Sequence, residues 1–168
     1  MSGSSVIDIP RSKPHAPTIR LKRCLLGFWA LWLTIVFLTN VLDAGKALAV
    51  LGQSWPLASG NWHFLVETTA RYGIPAWWNV ALFFGAICWE GVGAVLFWLA
   101  LWAYRRNASQ LMIYAAFTAS LTLWSAFIVA DEIFIAYPVE GTHLRLFTAQ
   151  LATLLMVELV RDENKVGP

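Results

Sequence analysis

Four long apolar runs divide the chain, at residues 24–42, 76–104, 111–136 and 144–160, with polar or Gly/Pro-punctuated stretches between them. At ~1.5 Å per residue, each of the first three covers a hydrocarbon core of ~30 Å, and the last nearly does. A segment that crosses lipid on its own must satisfy its own backbone hydrogen bonds, which selects the α-helix. The pattern predicts an all-α integral membrane protein, a four-helix bundle with its transmembrane domain over residues 24–160. Residues 1–23 hold Pro10, Pro14 and Pro17 among basic residues without apolar periodicity, and predict a mobile cytoplasmic tail. Residues 161–168 predict a second.

The stretch 44–75 is too long for a simple connection, and Gly52, Pro56, Ser59-Gly60 and Gly73 cut it into pieces. Within it, Trp62, Leu65 and Val66 fall at helical spacing, with Asn61 placed to cap and Gly73 to stop. The spacing predicts a short interfacial helix in the first outer loop. A turn is expected at Glu140-Gly141-Thr142, just before His143 and the last span.

Composition narrows the class further. The chain is 58% hydrophobic and 13% charged, against about half and about a quarter in soluble domains. The net charge of +2 comes from short flanking groups of bases, a distribution that orients a membrane protein and gives no surface for nucleic acid. With four crossings, nine bases fall on one side (Arg11, Lys13, Arg20, Lys22, Arg23, Arg105, Arg106, Arg161 and Lys165) and three on the other (Lys46, Arg71 and Arg145). The positive-inside rule then places both termini in the cytoplasm, in a multi-pass protein of the cytoplasmic (inner) membrane. Trp77 and Trp78 mark the outer end of the second span, and Trp102 and Tyr104 its inner end. Cys24 and Cys88 lie at different depths and read as apolar filler.

Polar residues inside the runs carry whatever chemistry the chain has. Glu90 stands roughly 18 Å above the anchor at Trp102, near the middle of the bilayer. Its helical neighbours Asn79, Ala86, Gly93 and Ala94 are small or polar, so Glu90 faces the bundle, and Ala86, Gly93 and Ala94 are the expected helix-packing positions. In the third run, Glu132 continues a Thr118–Ser125 stripe that is expected to point inward, whereas Asp131 continues Phe117–Trp124 and is expected to point outward. The fourth run carries His143, Gln150, Thr153 and Val157 on one face, and the first ends on Thr39, Asn40 and Asp43.

If these faces meet, Asn40, Asp43, Glu90, Glu132, His143 and Gln150 form an intramembrane polar cluster able to bind a metal, relay protons or hold a small ligand. The same groups can instead serve as interhelical hydrogen bonds, worth ~0.6 to 2 kcal/mol each. Both readings stay open for Glu90. The sequence has neither HExxH nor paired intramembrane histidines, no nucleophile beside a base and no glycine-rich phosphate loop, so no catalytic residue is assigned. No cofactor is specified.

Asn40-x-x-Asp43-x-Gly45, Gly60-Asn61, Trp89-Glu90, and Glu132 with Phe134 together resemble a bacterial family of predicted small four-span integral membrane proteins of unknown function. The likeness runs over residues 36–150 and departs at His143, where an acidic residue is expected. It implies the fold and topology and brings no catalytic residues.

Three functions fit. The first is a small membrane subunit or scaffold that associates with a larger complex, such as a redox or light-driven one, or with copies of itself. The second is small-solute or ion transport, or proton-coupled binding, built on Glu90. The third is a quinone- or metal-dependent membrane oxidoreductase using Glu90, Glu132 and His143.

Overall fold

The computed structural model describes residues 16–105 and 110–159, and their regular structure is entirely helical. Five helices follow in order: α1 (Ala16–Ala47), α2 (Asn61–Ala70), α3 (Ala76–Arg105), α4 (Gln110–Ile133) and α5 (Tyr137–Leu159). Three stretches, Ile19–Ala47, Ala76–Tyr104 and Gln110–Ile133, are long and apolar enough to cross a membrane. Helices of this length and apolarity are the kind that cross a lipid bilayer, and they point to a membrane protein.

The long helices pack in sequence, α1 on α3, α3 on α4 and α4 on α5, while the short α2 lies against α1 and α3 where α1 ends and α3 begins. All four long helices contribute to one core. Leu26, Trp29, Ala30 and Leu33 of α1 meet Ala94, Phe97, Ala100 and Leu101 of α3, with Ile113, Ala116, Phe117 and Trp124 of α4 and Val157 of α5. Phe97 and Phe117 meet edge to face at 5.0 Å, a geometry that the ring quadrupoles favour.

Small residues set how closely α1 and α3 approach. Ala94 is buried in the core, and a methyl group on Gly93 would sit 3.3 Å from Leu33 Cδ1. The tightest point between the two helices is Gly91, where a methyl group would come within 3.0 Å of the Phe37 ring. Ala86 is only half-buried. Gly91 therefore joins Gly93 and Ala94 as a packing position.

Helix ends differ from the expected runs. The tail expected over residues 1–23 is helical from Ala16, and residues 1–15 lie outside the described residues, as does the tail expected at 161–168. Pro17 does not oppose this start, because a proline in the first helical turn lacks only an N–H that has no intrahelical acceptor. The third run stops at Ile133 rather than 136. Ile135 takes a left-handed φ of 52°, and Ala136 N–H closes back on the Asp131 carbonyl at 2.7 Å, the 6→1 bond that ends many helices. α5 then begins at Tyr137, so Glu140-Gly141-Thr142 is helix and not a turn. Pro138 in its first turn, followed by Glu140 beside the positive helix end, favours that early start.

A β-branched side chain at φ 52° is strained, and Ile135 is exposed, so little burial holds it there. Ile135→Gly is expected to raise unfolding free energy by about 1 kcal/mol, measured by thermal or denaturant unfolding in detergent, whereas Ile135→Val brings no gain.

Candidate functional site

The polar residues of α1 and α3 form a single hydrogen-bonded network with the loop before α2. Asn40 sits at its centre. Its Nδ2 donates to both carboxylate oxygens of Glu90, at 2.9 and 2.8 Å, and both residues are buried. Its Oδ1 accepts from the Ser59 hydroxyl at 2.6 Å and from Asn61 Nδ2 at 2.8 Å. One amide thus joins an intramembrane carboxylate to the connection between α1 and α2.

Asp43, one turn along α1, extends the network. Its Oδ2 accepts from the Trp62 backbone N–H at 2.7 Å and lies 3.2 Å from the Ser59 hydroxyl. Trp62 is the second residue of α2, whose first amides have no partner of their own. The residue before the helix is Gly60, at φ 80°, and it supplies no side-chain cap. Asp43 therefore caps α2 from a different helix. Asn61, expected as the cap, spends its side chain on Asn40 instead. A polar recess of about 350 Å³ opens beside this cap, lined by Asp43, Lys46, Gln53, Gly60, Trp62 and His63.

The far end of α2 is pinned in a similar way. Thr69 is buried and donates to Asn79 Oδ1 of α3 at 2.8 Å. Between the two pins, Trp62 and Leu65 pack on a small cluster of Ala44, Phe83 and Ile87, with the Trp62 and Phe83 rings 5.4 Å apart.

The remaining proposed residues do not join Glu90. His143 is half-buried and bonds through Nδ1 to Asp131 Oδ2 at 2.5 Å, and its ring lies beside those of Trp124 and Phe127. Asp131 is buried, whereas Glu132 is exposed and lies beside Glu140. The expected directions of these two carboxylates are thus reversed. The stripe of Phe117, Trp124 and Asp131 is the buried one, and Thr118 and Glu132 point away. Hydroxyl groups explain the reversal. Ser125 donates to the Leu121 carbonyl at 2.8 Å and Thr122 to that of Thr118 at 2.7 Å. A hydroxyl satisfied within its own helix has no need of the interior, and the large aromatic rings fill the interhelical space.

Gln150 is fully buried on the α5 face that also holds Thr153 and Val157, and it makes no hydrogen bond to Glu90. The six residues therefore form a network of Asn40, Asp43 and Glu90, a separate His143–Asp131 pair, an isolated Gln150 and an outward Glu132. Among the described residues, no three His, Cys, Asp or Glu side chains converge as metal ligands. Ser59 and Gly91 were missed by sequence reasoning. Ser59 carries no periodic signal, since only the fold returns its loop to α1.

No family model matches the chain, and no curated protein or solved structure matches it.

Replacing Asp43 by Ala removes the acceptor of the Trp62 amide. The expected cost is about 1 to 2 kcal/mol, read as faster hydrogen exchange in the first turn of α2 with unchanged exchange in α4 and α5. Asp43→Asn keeps an acceptor and is expected to retain most of the protection.

Proposed function

We propose that this chain is a small four-span membrane subunit or scaffold of the cytoplasmic membrane, which associates with a larger membrane complex or with itself. Its kinship with the family of small four-span membrane proteins is part of the same proposal. The observation that carries it is the double engagement of Asn40. The amide gives its donors to Glu90 and its acceptor to Ser59 and Asn61, so the most conspicuous intramembrane carboxylate is held as a strut of the fold. The described connections and α2 are too small to form a catalytic domain outside the lipid.

The fourth crossing is supported by the way α5 follows α4. The Asp131–His143 bond joins them at one end, and Tyr114 lies beside Glu158 at the other. Since α4 is long enough to span, a helix paired with it over this whole length crosses with it. The 23 residues of α5 extend roughly 34 Å. Four crossings and the asymmetry of Lys and Arg support a cytoplasmic position for both termini and an outer-surface position for α2.

Transport or proton-coupled binding through Glu90 is the second reading. It is favoured by the unpaired polar atoms of α4 and α5, and it requires that Glu90→Gln abolish uptake while the protein still folds.

Two experiments test the proposal. In mild detergent, the protein is expected to purify as an oligomer or with stoichiometric membrane partners; a lone monomer of 18.8 kDa in its micelle argues against a subunit. For topology, single cysteines are placed at Ser54, Thr142, Gln110 and Leu159 after Cys24 and Cys88 are replaced by Ala. A membrane-impermeant maleimide is expected to label the first two in intact cells, and the last two only after permeabilisation. Labelling of the Leu159→Cys variant from outside would remove the fourth crossing.

A further inference from the structure

Glu90 belongs to a layer of buried polar residues that runs across the bundle, and only half of that layer is hydrogen-bonded within the protein. The level is fixed by contacts on each side. Asn40 of α1 meets Glu90 directly. The neighbouring Trp89 donates from Nε1 to the Ala119 carbonyl of α4 at 2.9 Å, so Glu90 and the buried Ser120 lie within about one helical turn of the same height. Between α4 and α5, the Asp131–His143 and Tyr114–Glu158 contacts set an antiparallel register. That register puts Gln150 between Ser120 and Trp124, within about one helical turn of each.

These three side chains are buried nearly completely, and all face the packed side of their helices. Ser120 Oγ, Trp124 Nε1, and both Gln150 Nε2 and Oε1 have no hydrogen-bond partner in the protein. Such orphans are few in folded proteins, and each calls for an explanation, ordered water being a common one. The other buried or interhelical indoles set the contrast. Trp29 donates to Thr153 at 3.2 Å, Trp89 to Ala119 and Trp98 to Thr34 at 3.1 Å.

We propose that Ser120, Trp124 and Gln150 form a binding site for ordered water between α4 and α5, level with Glu90. The chemistry of the set selects this occupant. It offers donors at Trp124 Nε1 and Gln150 Nε2, an acceptor at Gln150 Oε1 and a hydroxyl able to play either part, which matches the two to four partners of a buried water. None of the three is charged, and together they bring two side-chain oxygens, against the six or more that a hard cation such as Ca²⁺ takes. The site thus completes the polar layer whose other half Asn40 already satisfies, and it stands independently of the scaffold reading.

The test is water-edited solid-state NMR on the full chain, labelled with ¹³C and ¹⁵N, in phosphatidylcholine bilayers. Trp124→Phe assigns the Trp124 indole signal, and the Trp29 indole, bonded to Thr153, serves as the dry reference. Transfer from water to the Trp124 indole and the Gln150 side-chain amide is expected to be several-fold faster than to the Trp29 indole. Gln150→Leu is expected to slow transfer to Trp124 several-fold; if that variant does not fold, Ser120→Ala serves in its place. Transfer to Trp124 no faster than to Trp29, or unchanged in the folded variant, would overturn the proposal.

Discussion

The amide of Asn40 faces two ways, and both directions matter to the whole molecule. Inward, it holds a carboxylate that lipid-embedded helices tolerate poorly, at ~2.5 to 3.5 kcal/mol on insertion scales. A hydrogen bond to a charged group contributes about 1.5 to 3 kcal/mol, so the Asn40 bonds offset most of that cost and Glu90 without them is a liability. Outward, the same amide fixes Ser59 and Asn61, which set the entry of α2. Asp43, on the same face of α1, completes the arrangement by capping the Trp62 amide. Asn40 therefore links the packing of α1 on α3 to the connection that leads into α2.

Elsewhere the bundle is held by a division of labour among polar groups. Indole N–H groups reach between helices: Trp29 ties α1 to α5, Trp98 ties α3 to α1 and Trp89 ties α3 to α4. The threonines that receive two of these bonds, Thr34 and Thr153, donate their own protons to carbonyls four residues back in the same helix. Each hydroxyl thus serves its helix as donor and a neighbour as acceptor. Where packing is tightest, glycine replaces hydrogen bonding, as at Gly91 against Phe37.

The apolar runs made the helices legible, and the small and polar neighbours of Glu90 correctly placed it on an inward face of α3. The face of α5 was also readable, since Gln150, Thr153 and Val157 are its buried positions. What misled was the assumption that polar stripes point inward. In α4 the hydroxyls satisfy themselves locally, and the aromatic stripe ending in Asp131 is the buried one. Helix ends escaped for a different reason. Gly141 looked like a break, yet Pro138 and Glu140 start α5 earlier, and the strained backbone at Ile135 that ends the turn leaves no mark in a sequence pattern. The Asn40–Ser59 contact depends on the path of the loop between α1 and α2, and no periodicity encodes that.

The Asn40–Glu90 contact couples the packing of α1 on α3 to the start of α2. A double-mutant cycle with Asn40→Ala, Glu90→Ala and the double variant, followed by reversible unfolding in detergent, tests it most directly. A coupling energy of at least about 1.5 kcal/mol is expected, with the first turn of α2 losing hydrogen-exchange protection in both single variants. Effects that add to within about 0.5 kcal/mol, with α2 protection unchanged, would contradict it.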